Sequence, residues 1–163
     1  MNPAPAGPAP LVVVMGVAGS GKTTVGSALA AALGVPFVDG DDLHPPANIA
    51  RMQQGRPLDD AARAPWLDAV HAALAGAGGG LVVACSALKQ AYRQRLAEGL
   101  PGLRFVHLQV ERAVLEARLA QRAGHFFPAA LLDDQLATLE APVGALVVDG
   151  GRAVGEVVAV VVR

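Results

Sequence analysis

The sequence predicts an α/β fold, a five-stranded parallel sheet with helices on both faces, and three observations carry that prediction. Short β-branched runs alternate with longer Ala- and Leu-rich stretches at helical spacing, as repeated βαβ units do. The β-branched runs are continuously apolar, the signature of strands buried on both faces. A length of 163 residues with one cysteine, Cys85, suits a single domain held by its core and not by disulfides.

Taken in order, residues 1–10 (MNPAPAGPAP) hold four prolines and read as a disordered tail before one domain over residues 11–163. Strands are expected at residues 11–15, 35–38, 81–85, 103–110 and 145–148. A helix over 22–33 stops at Gly34, one over 88–98 stops at Gly99, and a third covers 111–123. Residues 61–75 have helical content that Pro65 should break early, and the glycines of 76–80 connect to the third strand. The C-terminal VGEVVAVVVR is ambiguous: valine favours strand, but Val154, Val157, Val158 and Val161 share a helical face. The alternation of elements selects helix.

Composition narrows the function. Thirteen Lys and Arg against fourteen Asp and Glu give a net charge of −1, no general electrostatic basis for binding nucleic acid or an anionic membrane. No apolar stretch nears the roughly 20 residues of a membrane span, and no secretory start is present. One cysteine cannot supply a four-cysteine zinc site and fits a reducing cytoplasm.

The sharpest motif is Gly16-Val17-Ala18-Gly19-Ser20-Gly21-Lys22-Thr23, a G-x-x-x-x-G-K-[ST] phosphate loop between a strand and a helix. Its glycines turn backbone N–H groups toward phosphates, and the helix N-terminus, with Thr24 in its first turn, adds partial positive charge. Lys22 is expected on the β and γ phosphates of ATP and Thr23 on Mg²⁺. A dinucleotide fingerprint fails because threonine stands where its third glycine belongs. The two lysines, Lys22 and Lys89, against eleven arginines, sit at candidate sites and not in a guanine-selecting segment. The third strand ends in Cys85-Ser86, so the acid must come from Asp39-Gly40-Asp41-Asp42 after the second strand. Asp39 can hold Mg²⁺ through water, and Asp41 can accept or orient a substrate hydroxyl. Asp42 reads as a turn or cap residue.

The words MGVAGSGKTT, VDGDDLHPPANIARM, GRPLDDAARAPWL, CSALKQAYR, RLAQRAGHFF and LLDDQLATLE resemble, in order and spacing, the compact phosphate-loop gluconokinase family. The resemblance runs from Leu11 nearly to the C-terminus. It implies a P-loop NTPase fold of three α/β/α layers, like adenylate and shikimate kinases, with a substrate-side helical insertion at about 42–76 and a lid at about 118–130. It implies transfer of the γ phosphate of ATP to the 6-hydroxyl of D-gluconate, with Mg²⁺, by a cytoplasmic protein that is commonly a homodimer. Another hydroxy-acid kinase, such as a shikimate kinase, or a non-catalytic ATP-binding regulatory module are the alternatives.

Carried over residue by residue, the resemblance assigns Gly16 to Thr23 to ATP and Mg²⁺, and Asp41, His44, Lys89 and Arg93 to the sugar acid. By spacing, Lys89 and Arg93 share one helical face and can meet one anion, or form a solvated basic face. Arg51 or Arg63 can bind the gluconate carboxylate as a bidentate fork. Arg118 and Arg122, one turn apart before Gly124-His125-Phe126-Phe127-Pro128, are expected to bring charge to the phosphates or adenine when the lid closes, with Arg122 joining Lys22, Asp41 and Lys89 in catalysis. His125 contacts substrate or braces the lid. Trp66, His71 and His107 read as structural. Gln135 is in register with the family, while Asp134 stands where serine is frequent. An inward carboxylate there repels an anionic substrate, so Asp134 is expected to face outward or to pair with an arginine.

Overall fold

The computed structural model describes residues 9–121 and 129–163. Five parallel strands lie in the order β2-β3-β1-β4-β5: β1 (Leu11–Met15), β2 (Phe37–Asp39), β3 (Leu81–Ala84), β4 (Leu103–Gln109) and β5 (Leu146–Asp149). The helices are α1 (Lys22–Leu33), α2 (Pro46–Gln53), α3 (Asp60–Ala75), α4 (Gln90–Ala97), α5 (Arg112–Ala120), α6 (Ala129–Thr138) and α7 (Val154–Val161). A 3-10 turn, Gly40–Leu43, follows β2.

The continuous apolar runs have a simple cause. Along β1, Val13 and Met15 point to one face, where they pack with Trp66, Leu67, Val70 and Leu74 of α3 and with Leu96 of α4. Val12 and Val14 point to the other and meet Val25 and Leu29 of α1 and Val157 and Val161 of α7. Strand side chains alternate between faces, so a strand covered by helices on both sides must be apolar at every position. Three layers result. A further apolar cluster joins Val17 and Leu88 to Leu115 and Leu119 of α5 and Leu132 of α6, seating those two helices over the loop after β1.

Local expectations were met in kind, with shifts that have physical causes. Pro65 does not break α3, which runs unbroken from Asp60 to Ala75. The proline removes one early ladder bond, but Asp59 caps the helix by accepting from Ala62 N–H at 2.7 Å, and a buried apolar face holds the rest. Helix α4 starts at Gln90 because Ala87 adopts φ 46° and Lys89 is extended. The C-terminal segment is helical, since Val157 and Val161 are buried against the sheet. Among the described residues, no helix is long and apolar enough to cross a membrane.

Candidate active site

The C-terminal ends of β1, β2 and β3 open into one cleft, of about 1130 Å³, where parallel sheets receive ligands. The loop after β1 forms its floor. Gly19 and Gly21 sit at φ 84° and 94°, values that side-chain-bearing residues rarely adopt. Helix α1 begins without a side-chain cap, which leaves its first N–H groups for an anion. Lys22 lines the cleft, and its Nζ donates to Val17 O at 3.1 Å. Two side chains grip this loop from above. Arg118 donates to Gly19 O at 3.1 Å and to Gly150 O at 2.8 Å, and Gln135 Oε1 accepts from Ala18 N–H at 2.7 Å.

Beside the loop stands the acidic turn. Asp39 Oδ2 accepts from Thr23 Oγ1 at 3.0 Å, and Asp39 Oδ1 accepts from Asp41 N–H, also at 3.0 Å, so one carboxylate both meets the loop threonine and caps the turn carrying Asp41. Gly40 is required between the acids: a Cβ there would lie 2.6 Å from Ala84 O on β3. Trp66 Nε1 donates to Gly40 O at 2.7 Å, tying the turn to α3. Asp41 lines the cleft, whereas Asp42 is exposed outside its lining.

His44 follows the turn, 8% exposed, with its ring stacked on Trp66 at 4.2 Å and 12°. Burial, then the charge of Arg63, pulls its pKa down to about 4, so the imidazole is neutral near pH 7. Trp66 packs as expected, but its ring is also the platform for His44.

The cations separate into two groups. Arg63 lines the cleft and donates to Tyr92 OH at 2.9 Å. Arg51 is outside the lining and faces Asp59 at 3.7 Å. Lys89 is also outside the lining and lies 3.5 Å from Asp60, above the Tyr92 ring. Tyr92 OH in turn donates to Asp60 at 2.5 Å, and that bond, followed by Lys89, holds the Asp60 carboxyl below its usual range. The expectation that Lys89 and Arg93 share a helical face is corrected, because Lys89 precedes the helix as an extended residue. Arg93 is 3% exposed and donates to Ala87 O at 2.6 Å, Glu140 O at 3.0 Å and Gln90 Oε1 at 3.2 Å. It is a buried clamp on the turn after β3, not a lining residue of the cleft.

Asp134 also departs from expectation. It lines the cleft and makes no ion pair among the described residues, while its neighbour Asp133 pairs with Arg112; the rotation of α6 that puts Gln135 on the loop brings Asp134 along. Arg122, His125 and most of the expected lid lie outside the described residues. His71 bonds Glu98 O at 2.7 Å and His107 is buried in β4, away from the cleft.

Arg56, which lines the cleft, and Asn48, Asp60 and Tyr92, which hold site residues from outside its lining, carried no expectation. All fall within the segments that carry the resemblance, and Tyr92 is the chain's one tyrosine. Apart from the Asn48–His44 contact, which spans four residues, the partners of Asn48, Asp60 and Tyr92 are distant in sequence.

Comparison with known proteins agrees with this geometry. The family model described as an AAA domain matches residues 11–142. A gluconokinase of Gluconobacter oxydans (strain 621H) is 53% identical over 135 residues, covering 80% of this chain and 75% of that protein. The crystal structure of a gluconokinase from Sinorhizobium meliloti 1021 is 49% identical, with a TM-score of 0.85 over 92% of this chain and 87% of that one. A shikimate kinase from Bacteroides thetaiotaomicron, at 20% identity and a TM-score of 0.70 over 93% of this chain and 96% of that one, shares the fold. A loop, an acidic turn and a flanking pair of helices built as described, with about half of the residues unchanged over most of both chains, make this chain a member of the gluconokinase family.

Proposed function

We propose that the protein transfers the γ-phosphoryl group of ATP to the 6-hydroxyl of D-gluconate, giving 6-phospho-D-gluconate and ADP. The observation that carries this reading is the convergence of Lys22, Asp41 and Arg63 on one cleft: a phosphate cation, a base and an anion fork. Lys22 and the uncapped N–H groups of α1 hold the β and γ phosphates. Asp41 accepts the proton of the attacking hydroxyl as its oxygen bonds to the γ phosphorus and the bond to the β–γ bridging oxygen breaks. Arg63 binds the acceptor's carboxylate, favoured over Arg51 because it lines the cleft. Lys89, outside the lining and paired with Asp60, is assigned to the acceptor by the resemblance alone. Arg118 and Gln135 keep the loop in shape, and Arg93 is withdrawn from the substrate set. Arg122 and His125 are assigned to the lid by the resemblance alone.

Mg²⁺ belongs to the same proposal. Thr23 Oγ1 and Asp39 Oδ2 are 3.0 Å apart beside the phosphate floor, a pair of hard oxygen donors of the kind this cation uses together with phosphate oxygens and water. When bound there it withdraws negative charge from the phosphates. A cytoplasmic protein that binds neither nucleic acid nor membrane completes the reading, supported by the net charge of −1 and the buried thiol of Cys85; the homodimer rests on the resemblance alone.

An assay of ADP release from Mg-ATP across D-gluconate, related sugar acids and shikimate tests it. Turnover that depends on gluconate is expected. Turnover with shikimate alone, or nucleotide binding with no acceptor-dependent turnover, overturns it in favour of the corresponding alternative.

A further inference from the structure

We infer that Asn48 is a positioning residue of the acceptor site: it locks His44 in the tautomer that carries its proton on Nε2, so that a neutral imidazole donates a hydrogen bond to an oxygen of the bound sugar acid. The inference rests on the reading of the cleft as a sugar-acid site and adds the state in which His44 works there.

The argument starts from Asn48 itself. It is 4% exposed on α2, and its Nδ2 lies 2.8 Å from Ala62 O and 3.2 Å from His44 Nδ1. A backbone carbonyl can only accept, so the amide atom facing Ala62 O must be the NH₂ group. That group has two hydrogens, one for Ala62 O and one for His44 Nδ1. A proton on Nδ1 would set two donors against each other at 3.2 Å, in a place too buried for water to relieve the conflict. Nδ1 therefore keeps its lone pair, and the proton sits on Nε2.

The ring cannot turn away from this arrangement. Trp66 covers one of its faces and is itself pinned to Gly40 O. The Nδ1 edge is taken by Asn48, and His44 lines the cleft. Nε2 makes no hydrogen bond among the described residues, which leaves its N–H for a ligand. Arg63 from α3 and Asp41 from the acidic turn line the same cleft. With Arg63 disfavouring an imidazolium, His44 contributes direction without a second charge. An acceptor with one carboxylate then has the Arg63 fork beside His44 and one neutral donor for an oxygen of its polyol chain. An imidazolium would instead compete with Arg63 for the carboxylate and blur the orientation of the 6-hydroxyl.

The test uses the full-length chain labelled with ¹⁵N-histidine, the His44 signals being those lost in His44→Gln. At pH 7 the free enzyme should show His44 protonated at Nε2 only. In Asn48→Asp, whose carboxylate accepts from Nδ1, the proton should move to Nδ1. The KM for gluconate in that variant should rise about tenfold, the worth of one buried hydrogen bond, with the KM for ATP unchanged and kcat within about threefold. A wild-type His44 protonated at Nδ1, or averaging between tautomers, overturns the inference even if Asn48→Asp does not fold, and so does an unchanged gluconate KM in a folded variant. A locked tautomer in a protein that does not turn over gluconate upholds the lock and removes the substrate reading, so the two failures are told apart.

Discussion

At the scale of single residues, position relative to the cleft decides what each charged side chain can do. Asp41 is carried into the cleft by a turn that Asp39 caps and Trp66 anchors, so Asp41→Asn should leave the backbone and ATP binding intact and remove the proton acceptor. Gluconate phosphorylation should fall by about 10²-fold or more; near-normal turnover with unchanged nucleotide affinity removes Asp41 from the chemistry. Arg63 and Arg51 form a matched pair for the carboxylate. Arg63→Ala should raise the gluconate KM by about tenfold or more, a charge-assisted bond being worth roughly 1.5–3 kcal/mol, while Arg51→Ala, which loses a partly exposed ion pair with Asp59, should change it less than about threefold. The reverse order in steady-state assays exchanges their roles.

At the scale of elements, the turn between β3 and α4 shows how a buried charge holds a loop. Ala87 is fully buried with φ 46°, a conformation that disfavours any Cβ, and Arg93 fixes it through Ala87 O while binding Glu140 O beyond α6. Glu140 closes the arrangement by accepting from Gln90 N–H at 2.7 Å. Arg93→Ala leaves carbonyls without donors, and should lower unfolding stability by about 2–4 kcal/mol, read by urea denaturation, with a smaller change in gluconate KM than Arg63→Ala. A stable Arg93→Ala protein with a selectively raised gluconate KM returns Arg93 to the substrate set.

This element also shows why part of the site was illegible in the sequence. An i, i+4 spacing places two cations on one face only if both lie in the helix, and the left-handed Ala87 delays the helix past Lys89. The phosphate loop and the DGD turn were legible because each works through its own backbone, within a few residues. Tyr92 was not, since what it touches comes from α3, and Asn48 was not because its amide is oriented by Ala62 O of α3, although His44 is only four residues away.

At the scale of the whole molecule, two buried histidines couple stability to pH. His44 is held down to about 4 by burial and Arg63, and His107 is lowered by burial and Arg93. Each binds its proton more readily in the unfolded chain, near pH 6.5, than in the fold. Stability therefore falls as pH drops below about 6.5; the His44 part of the loss, roughly 3 kcal/mol, levels off below about 4, and His107 acts in the same direction. Chemical denaturation between pH 7 and 4 should show this slope, and His44→Gln should flatten it; identical slopes in the two proteins remove His44 from the coupling.

The amino-acid sequence by itself determined the layered α/β architecture, the phosphate loop and the acidic turn, because apolar periodicity and glycine placement act over neighbouring residues. Only the tertiary structure decided which cations reach the cleft, that Pro65 sits inside a continuous helix, and which tautomer His44 holds. Those outcomes depend on groups that meet across elements, where burial makes an unmatched donor, acceptor or charge costly enough to override local preference.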